Sequence, residues 1–529
     1  MLSRLYGKSI LLVEDQEMMR NQLRQSMTIV GCKHLRAVAN IQMALEALTT
    51  ETFDLILSDY NLGENTSGQQ FLEYVRTRNL ISRNTLFIMI TAEQTYQKVM
   101  SVAEWTPDDY LLKPFTPAQL NARVDRLIER QEALERINRA SDRKRCDLFM
   151  TEYDKLLTDH SKFAFDALKI KGEALIKSGR ATDAHQHYQT VLLQRPLTWA
   201  KVGMARALEA EGDIEGACTR LRDIIAESPM AMPAYDLLAR LLANNNKQTE
   251  AMEVLDMAGE ISPGTLGRLR TLSTLAIGLG QHEMAEKVMS NALKDNKYSP
   301  VLDVGDFAML SRALVNQNKI DAALDVVKNA RKGFEDSAST VMLDATESVI
   351  YNRAKNTSKA TEALDRATAG ELTGATLDLA MSVAEALMAA GHQSEAHNLI
   401  KQAIQNNPDD VNLTLKVQAV LGGKGDLAAA IIASSRREII QLNNEGVRKA
   451  EAGQFDEAIA LLSAAADRLP NNLQIGGNAA LALAQYMVRV GVNSERLTQC
   501  LRYRNSLAEQ SAEDPKLRQI DINLQRLKR

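Results

Sequence analysis

The sequence predicts two folds in one chain: a doubly wound α/β domain on a five-stranded parallel sheet, followed by an all-α array of helical hairpins. Three observations carry this. Short apolar runs alternate with helix-period stretches over the first 130 residues. Beyond about residue 170, small and turn-forming residues recur at intervals of 33 or 34 positions. The composition is 45% hydrophobic and 25% charged but only 5% aromatic, which suits closely packed helices built from small apolar residues.

The first apolar run, Ser9 to Val13, reads as a buried parallel strand that ends at Glu14-Asp15. Further runs lie at Leu35 to Val38, Leu55 to Leu57, Leu86 to Ile90 and Tyr110 to Leu112, with helix-period stretches such as Glu17 to Thr28 and Gly68 to Arg78 between them. In such sheets the ligand crevice lies beyond the carboxyl ends of the strands. Glu14, Asp15, Asp59, Thr91 and Lys113 all fall there, so one pocket can collect them. Three crowded carboxylates repel one another, and a hard cation with oxygen ligands and open water positions, Mg²⁺, suits them. The chemistry that fits this set is phosphoryl transfer. Asp59 would be the nucleophile, the Lys113 ammonium would stabilise the developing charge, and the Thr91 hydroxyl would hold a phosphoryl oxygen. Lys113 precedes Pro114, where a cis peptide would help to aim the lysine.

On these motifs, residues 7 to 130 resemble the receiver domain of two-component response regulators, a flavodoxin-like fold. The resemblance implies that Glu14 and Asp15 form the acidic pair, that Asp59 is phosphorylated by a histidine kinase, and that the backbone carbonyl of Asn61 joins the metal. It also implies that Thr91 and Tyr110 are the switch residues and Lys113 the conserved-type lysine. The acidic pair is Glu-Asp where Asp-Asp is commoner, and the Asn61-Leu62-Gly63 loop lacks a proline often found there. Neither departure removes a needed functional group.

In the second region Gly172, Leu175, Gly179, Ala184, Tyr188 and Pro196 align with Ala205, Leu208, Gly212, Ala217, Leu221 and Pro229. They align again with Ala239, Leu242, Asn246, Ala251, Leu255 and Pro263. Small residues let two helices approach, the Gly or Asn caps the first helix in a left-handed turn, and the proline ends the second. The pattern resembles the tetratricopeptide repeat. Less regular copies follow at Gly280, Asn318, Ala360 and Gly391, Gly422 to Gly425 marks a further hairpin turn, and a well-formed copy starts at Gly446. The expected organisation is a receiver domain at 1–130, a helical linker at 131–160, a solenoid of about nine hairpins at 161–475 and capping helices at 476–529. Such arrays bind proteins.

Between the two regions, Leu120, Leu127 and Leu134 recur at sevens on a charged helix. The stripe allows a parallel coiled coil, and with it a homodimer, or docking on the first repeats. Arg143-Lys144-Arg145 reads as a solvated turn.

A net charge of −4 and the absence of a helix-turn-helix pattern argue against a DNA-binding output and predict no nucleic-acid partner. Glu-Ala-Leu tripeptides at Glu132, Glu173, Glu362 and Glu385 lie in helical stretches without metal-ligand context, so no separate catalytic domain is expected. No apolar run is long enough to span a membrane, and the N-terminus lacks a signal peptide's apolar core, so a cytoplasmic protein is expected. Cys32, Cys146, Cys218 and Cys500 are far apart and read as reduced packing residues, and the pairs His185/His187 and His392/His397 as surface histidines. Together these predict a response regulator whose phosphorylation modulates protein binding by the repeats. The competing expectation is a constitutive adaptor whose receiver is not phosphorylated.

Overall fold

The structure, a computed structural model, describes residues 6–527 other than 30, 64–66, 79, 83, 93–106, 143–145, 160, 263, 264, 298, 300, 371, 373, 409, 411 and 511–513. The Arg143-Lys144-Arg145 turn and Pro263 of the third repeat lie outside the described residues.

Five strands form one parallel sheet: β1 Ser9–Val13, β2 His34–Val38, β3 Leu55–Asp59, β4 Leu86–Ala92 and β5 Asp109–Lys113, in the order β2-β1-β3-β4-β5. Side chains alternate between the two faces of each strand, so the apolar runs divide between two cores. Leu11, Val13, Ile56, Phe87 and Met89 pack against α2 (Ile41–Thr50) and α3 (Gly68–Thr77) through residues such as Ile41, Ala44, Phe71 and Val75. On the opposite face Ile10, Leu12, Leu57, Ile88 and Ile90 meet Leu23 and Met27 of α1 (Glu17–Ile29). They also meet Leu120, Val124 and Ile128 of α4 (Pro117–Asp142). A sheet covered on both faces explains why its strands read as continuous apolar runs. The strand order reverses between β1 and β3, which opens a crevice at their carboxyl ends.

Helix α4 runs 26 residues without a break, past the expected boundary at 130. Its first half belongs to the sheet's core. Its second half places Leu134, Ile137 and Ala140 in a separate cluster with Phe149, Tyr153, Phe163 and Ala167 from the helices that follow. Of the stripe, Leu120 and Leu127 are covered by the sheet and Leu134 by the helices that follow.

Beyond Cys146–Asp159, helices follow in pairs: Ala164–Lys177 with Ala181–Gln194, Thr198–Glu211 with Ile214–Glu227, Met232–Asn244 with Gln248–Ile261, and Leu266–Gly278 with His282–Asp295. Val304–Asn316 with Ile320–Ala330, Ser337–Arg353 with Thr357–Thr368, and Leu377–Ala389 with Gln393–Asn406 continue the series. The turns take the left-handed conformation that the repeat pattern requires, with φ of +72° at Gly179, +88° at Gly212 and +61° at Asn246. Lys355 occupies the equivalent turn at φ +60° and carries neither Gly nor Asn to announce it.

The copy starting at Gly446 follows the pattern: Gly446 lies inside a helix as Gly172 does, and Gly453 takes the left-handed turn at φ +80° before Phe455–Arg468. The helix that carries it, Gly425–Glu451, runs 27 residues. Between Asp426 and Glu445 there is no glycine or proline to interrupt it. Its end packs on Phe455–Arg468, and Leu473–Val490, Ser494–Gln510 and Pro515–Arg526 complete the described chain. No helix among the described residues is long and apolar enough to cross a membrane.

The chain divides into two compact units. One comprises residues 1–242, 253–269 and 291–303, and the other residues 243–252, 270–290 and 304–529. In the first, Tyr188 shows what the small residues do. A Cβ on Gly172 would lie 2.2 Å from its ring, and one on Gly203 would lie 2.4 Å from it, so two helices hold the buried ring between bare backbones. At an unconstrained mid-helix site Gly→Ala stabilises by about 0.5–1 kcal/mol. Here overpacking reverses the sign, and Gly203→Ala is expected to destabilise by about 1–3 kcal/mol in thermal or urea unfolding. A rise in stability would contradict this packing.

Candidate functional site

The pocket is assembled at the carboxyl ends of four adjacent strands. Glu14 and Asp15 follow β1 directly, Asp59 is the last residue of β3, Thr91 lies next to last in β4 and Lys113 ends β5. The parallel register sets these ends side by side: Val13 is opposite Ser58, Asp59 opposite Ile90, and Ala92 opposite Lys113. The Lys113 ammonium donates to Asp59 Oδ2 at 2.9 Å and to Glu14 Oε2 at 3.0 Å. The other Asp59 oxygen accepts from the Tyr60 backbone N–H at 2.8 Å. Carboxylate oxygens of Glu14, Asp15 and Asp59 lie within 4.8 Å of one another.

Burial sharpens the electrostatics. The Glu14 side chain is fully buried and the Asp59 side chain only 8% exposed. Burial pushes the Glu14 carboxyl above its ordinary range, and the Asp59 charge adds to the effect against the pull of Lys113. Asp59 is raised too, chiefly by burial, again opposed by Lys113. Burial acts to lower Lys113, but its bonds to Asp59 and Glu14 outweigh that and keep the ammonium charged. One bonded ammonium thus faces three carboxylates, and Asp15 Oδ1 is buried with no hydrogen-bond partner among the described residues. Excess negative charge and an unsatisfied oxygen are what a hard cation such as Mg²⁺ would relieve, so these residues fit that ion.

Thr91 and Tyr110 are both buried, at 1% and 7% exposure, and the Tyr110 ring lies in the core cluster with Phe87 and Met89. Asn61 is exposed and forms an isolated antiparallel bridge with Ser67. The peptide bond between Lys113 and Pro114 is cis, as the dipeptide allows.

The structure adds residues that the motif reading missed. Arg20 donates to the carbonyls of Glu14 at 2.7 Å and Asp15 at 3.1 Å, which fixes the acidic loop. Gly68 makes room for the strand end, because a Cβ there would sit 2.3 Å from the Asp59 carbonyl oxygen. Ser67 and Gln70 close a reciprocal capping box at the start of α3. That box was legible as Ser-x-x-Gln before an apolar stretch.

Elsewhere, the described cysteines Cys32, Cys218 and Cys500 are free thiols, and burial pushes Cys500 up to about 12. The side chain of Cys146 is outside the described set. His187 corrects the surface reading: it is half-buried, its Nε2 meets the Leu168 carbonyl at 2.8 Å, and burial lowers its pKa. No histidine joins a metal-ligand cluster among the described residues.

Comparison with known proteins agrees with this geometry. Residues 10–125 match the family described as response regulator receiver domain. The chain is similar to a probable chemotaxis protein CheY of Rhizobium etli, 28% identical over 116 residues that make up 22% of this chain and 88% of that protein. It is also similar to the phosphate regulon transcriptional regulatory protein PhoB of Pseudomonas aeruginosa, 32% identical over 23% of this chain and 53% of that protein. Chemotaxis protein CheY-3 of Vibrio cholerae is 27% identical over 23% of this chain and 92% of that one. Among solved structures, a tetratricopeptide repeat protein from Parabacteroides merdae is similar at a TM-score of 0.36 and 12% identity, over 49% of this chain and 98% of that one. The strand order, the pocket at the strand ends and the sequence match make the N-terminal part of this chain a response regulator receiver domain, joined to helical hairpins that resemble tetratricopeptide repeats.

Proposed function

We propose that the chain is a phosphorylation-regulated protein-binding module of a two-component pathway. A histidine kinase would supply the phosphoryl group, Asp59 would receive it, and the helical repeats would change their hold on a protein partner. The observation that carries this reading is the contact of Asp59 with Lys113 beside two further carboxylates at the sheet's edge.

An Asp59 carboxylate oxygen attacks phosphorus, the new P–O bond forms as the P–N bond to the kinase histidine breaks, and the imidazole leaves. The Lys113 ammonium offsets charge on the phosphoryl oxygens, and the Thr91 hydroxyl donates to one of them. Glu14, Asp15, Asp59 and the Asn61 carbonyl would hold Mg²⁺, which supplies neutralising charge to the carboxylates and the phosphoryl group. The kinase side and the repeat side then make two distinct protein partners, with no nucleic acid required.

The test is a pull-down from a native lysate with wild type, with beryllofluoride-loaded wild type in Mg²⁺, and with Asp59→Ala. The expected result is a partner whose recovery changes at least several-fold between the loaded and unloaded states, with Asp59→Ala fixed in the unloaded pattern. Equal recovery in all three would leave a constitutive adaptor and remove the switch.

A further inference from the structure

Helix α3 begins where the loop after Asp59 ends. Gly68 N–H donates to the Tyr60 carbonyl at 2.8 Å, and Asn61 is bridged to Ser67, so the start of the helix is tied directly to the residues following Asp59. In the capping box Gln70 N–H donates to Ser67 Oγ at 3.2 Å, and Ser67 N–H donates to Gln70 Oε1 at 2.9 Å. That uses one end of the Gln70 amide. The other end points away from the sheet, where its Nε2 donates to Asn296 Oδ1 at 2.8 Å.

Asn296 is 226 positions further along the chain, in the connection between the helices His282–Asp295 and Val304–Asn316. It is buried at 4% exposure, and its own Nδ2 is committed to the Ala292 carbonyl at 2.9 Å. Just past the far end of α3, Arg78 pairs with Asp303 of the same connection at 2.6 Å. Both ends of α3 therefore engage one short segment of the repeats, and this segment belongs to the same compact unit as the sheet.

We propose that α3 is the surface through which the repeats read the state of Asp59, and that its partner is the 296–303 segment of the same chain. The inference rests on the phosphorylation reading above. Metal and phosphoryl group would engage Asp59, at the end of β3, and the Asn61 carbonyl, in the loop that Ser67 closes. A shift of that loop moves the Ser67 cap, and Gln70 cannot follow the cap and keep Asn296. The second contact is built to release. Arg78 and Asp303 are 54% and 38% exposed, so water competes for both partners. A weak pair beside a single amide bond forms a latch between two populated states, not a permanent joint.

Hydrogen–deuterium exchange on the full-length protein tests this, with beryllofluoride in Mg²⁺ as the probe and phosphate incorporation from acetyl phosphate measured in parallel. Exchange over residues 291–303 is expected to rise several-fold on loading. In Asn296→Ala/Asp303→Lys it should already be high and no longer respond, while Asp59 still incorporates phosphate, because neither residue lies in the pocket. The exposed pair offers a milder variant: exchanging the charges, Arg78→Asp with Asp303→Arg, should retain the response. Unchanged exchange over 291–303 in a protein that does incorporate phosphate overturns the α3 route alone, as does a wild-type response in the double variant. No incorporation at all removes the reading of the pocket, and the α3 route with it.

Discussion

Asp59→Ala is expected to incorporate no phosphate from acetyl phosphate in Mg²⁺, whereas the wild-type chain is labelled. The loss should be complete because the nucleophile itself is gone. Lys113→Ala should keep the nucleophile but lose the ammonium that offsets charge on the phosphoryl oxygens. Removing one such preorganised donor costs about 10²–10³-fold in rate. The two variants thus separate nucleophile from electrostatic partner, the first abolishing labelling and the second slowing it. Labelling of Asp59→Ala at the wild-type level would falsify the assignment of the nucleophile.

The second large effect is a change of sign at Glu14. Its carboxyl is raised above the ordinary value, first by burial and then by Asp59. A carboxyl raised in the folded state is penalised when ionised. That penalty is absent below the unfolded-state pKa, grows as pH rises, and is fully present above the folded-state pKa. Glu14→Gln removes it while leaving an amide oxygen for Lys113. In chelator, the variant should therefore match wild type near pH 4 and be the more stable of the two at pH 8. Saturating Mg²⁺ should invert the order. A ligand bound only by the folded state stabilises by about 2.7 kcal/mol at one hundred times its dissociation constant, and the variant lacks one of the carboxylates that hold it. Thermal unfolding of both proteins, with and without Mg²⁺ at the two pH values, gives the comparison. A variant less stable than wild type in chelator at pH 8 would show that the buried charge is compensated by something other than a cation.

The pocket was readable because its chemistry sits at the ends of strands whose apolar runs are unmistakable. Val13 and Leu57 announce a buried parallel sheet, and once that is granted, Glu14, Asp15, Asp59 and Lys113 have only one edge to share. The repeats were readable wherever a turn needed a left-handed residue and the sequence supplied Gly179, Gly212 or Asn246. Where Lys355 adopts that conformation instead, the turn itself carries no such residue, and only the small residue Ala360 marked the pairing of Ser337–Arg353 with Thr357–Thr368. The length of the helix Gly425–Glu451 has no such marker, while Gly446 within it admits the Leu462 side chain, which a Cβ would meet at 2.5 Å, as Gly172 admits Tyr188. Contacts such as Gln70 with Asn296 have no local signature at all. Two polar amides on surface-like stretches, 226 residues apart, become partners only through the path of the chain between them.

Helix α4 also sets the order in which this protein can be completed during synthesis. Its first half finishes the sheet's core as soon as it leaves the ribosome, since Leu120, Val124 and Ile128 need nothing beyond the strands already made. Leu134, Ile137 and Ala140 then protrude from a folded domain as an uncovered apolar ridge until Phe149, Tyr153 and Phe163 have been translated. At about 5–20 residues per second that interval lasts seconds, long enough for a chaperone to find the nascent chain. The helix that joins the sheet to the helices after it thus leaves an unfinished chain with an exposed apolar ridge.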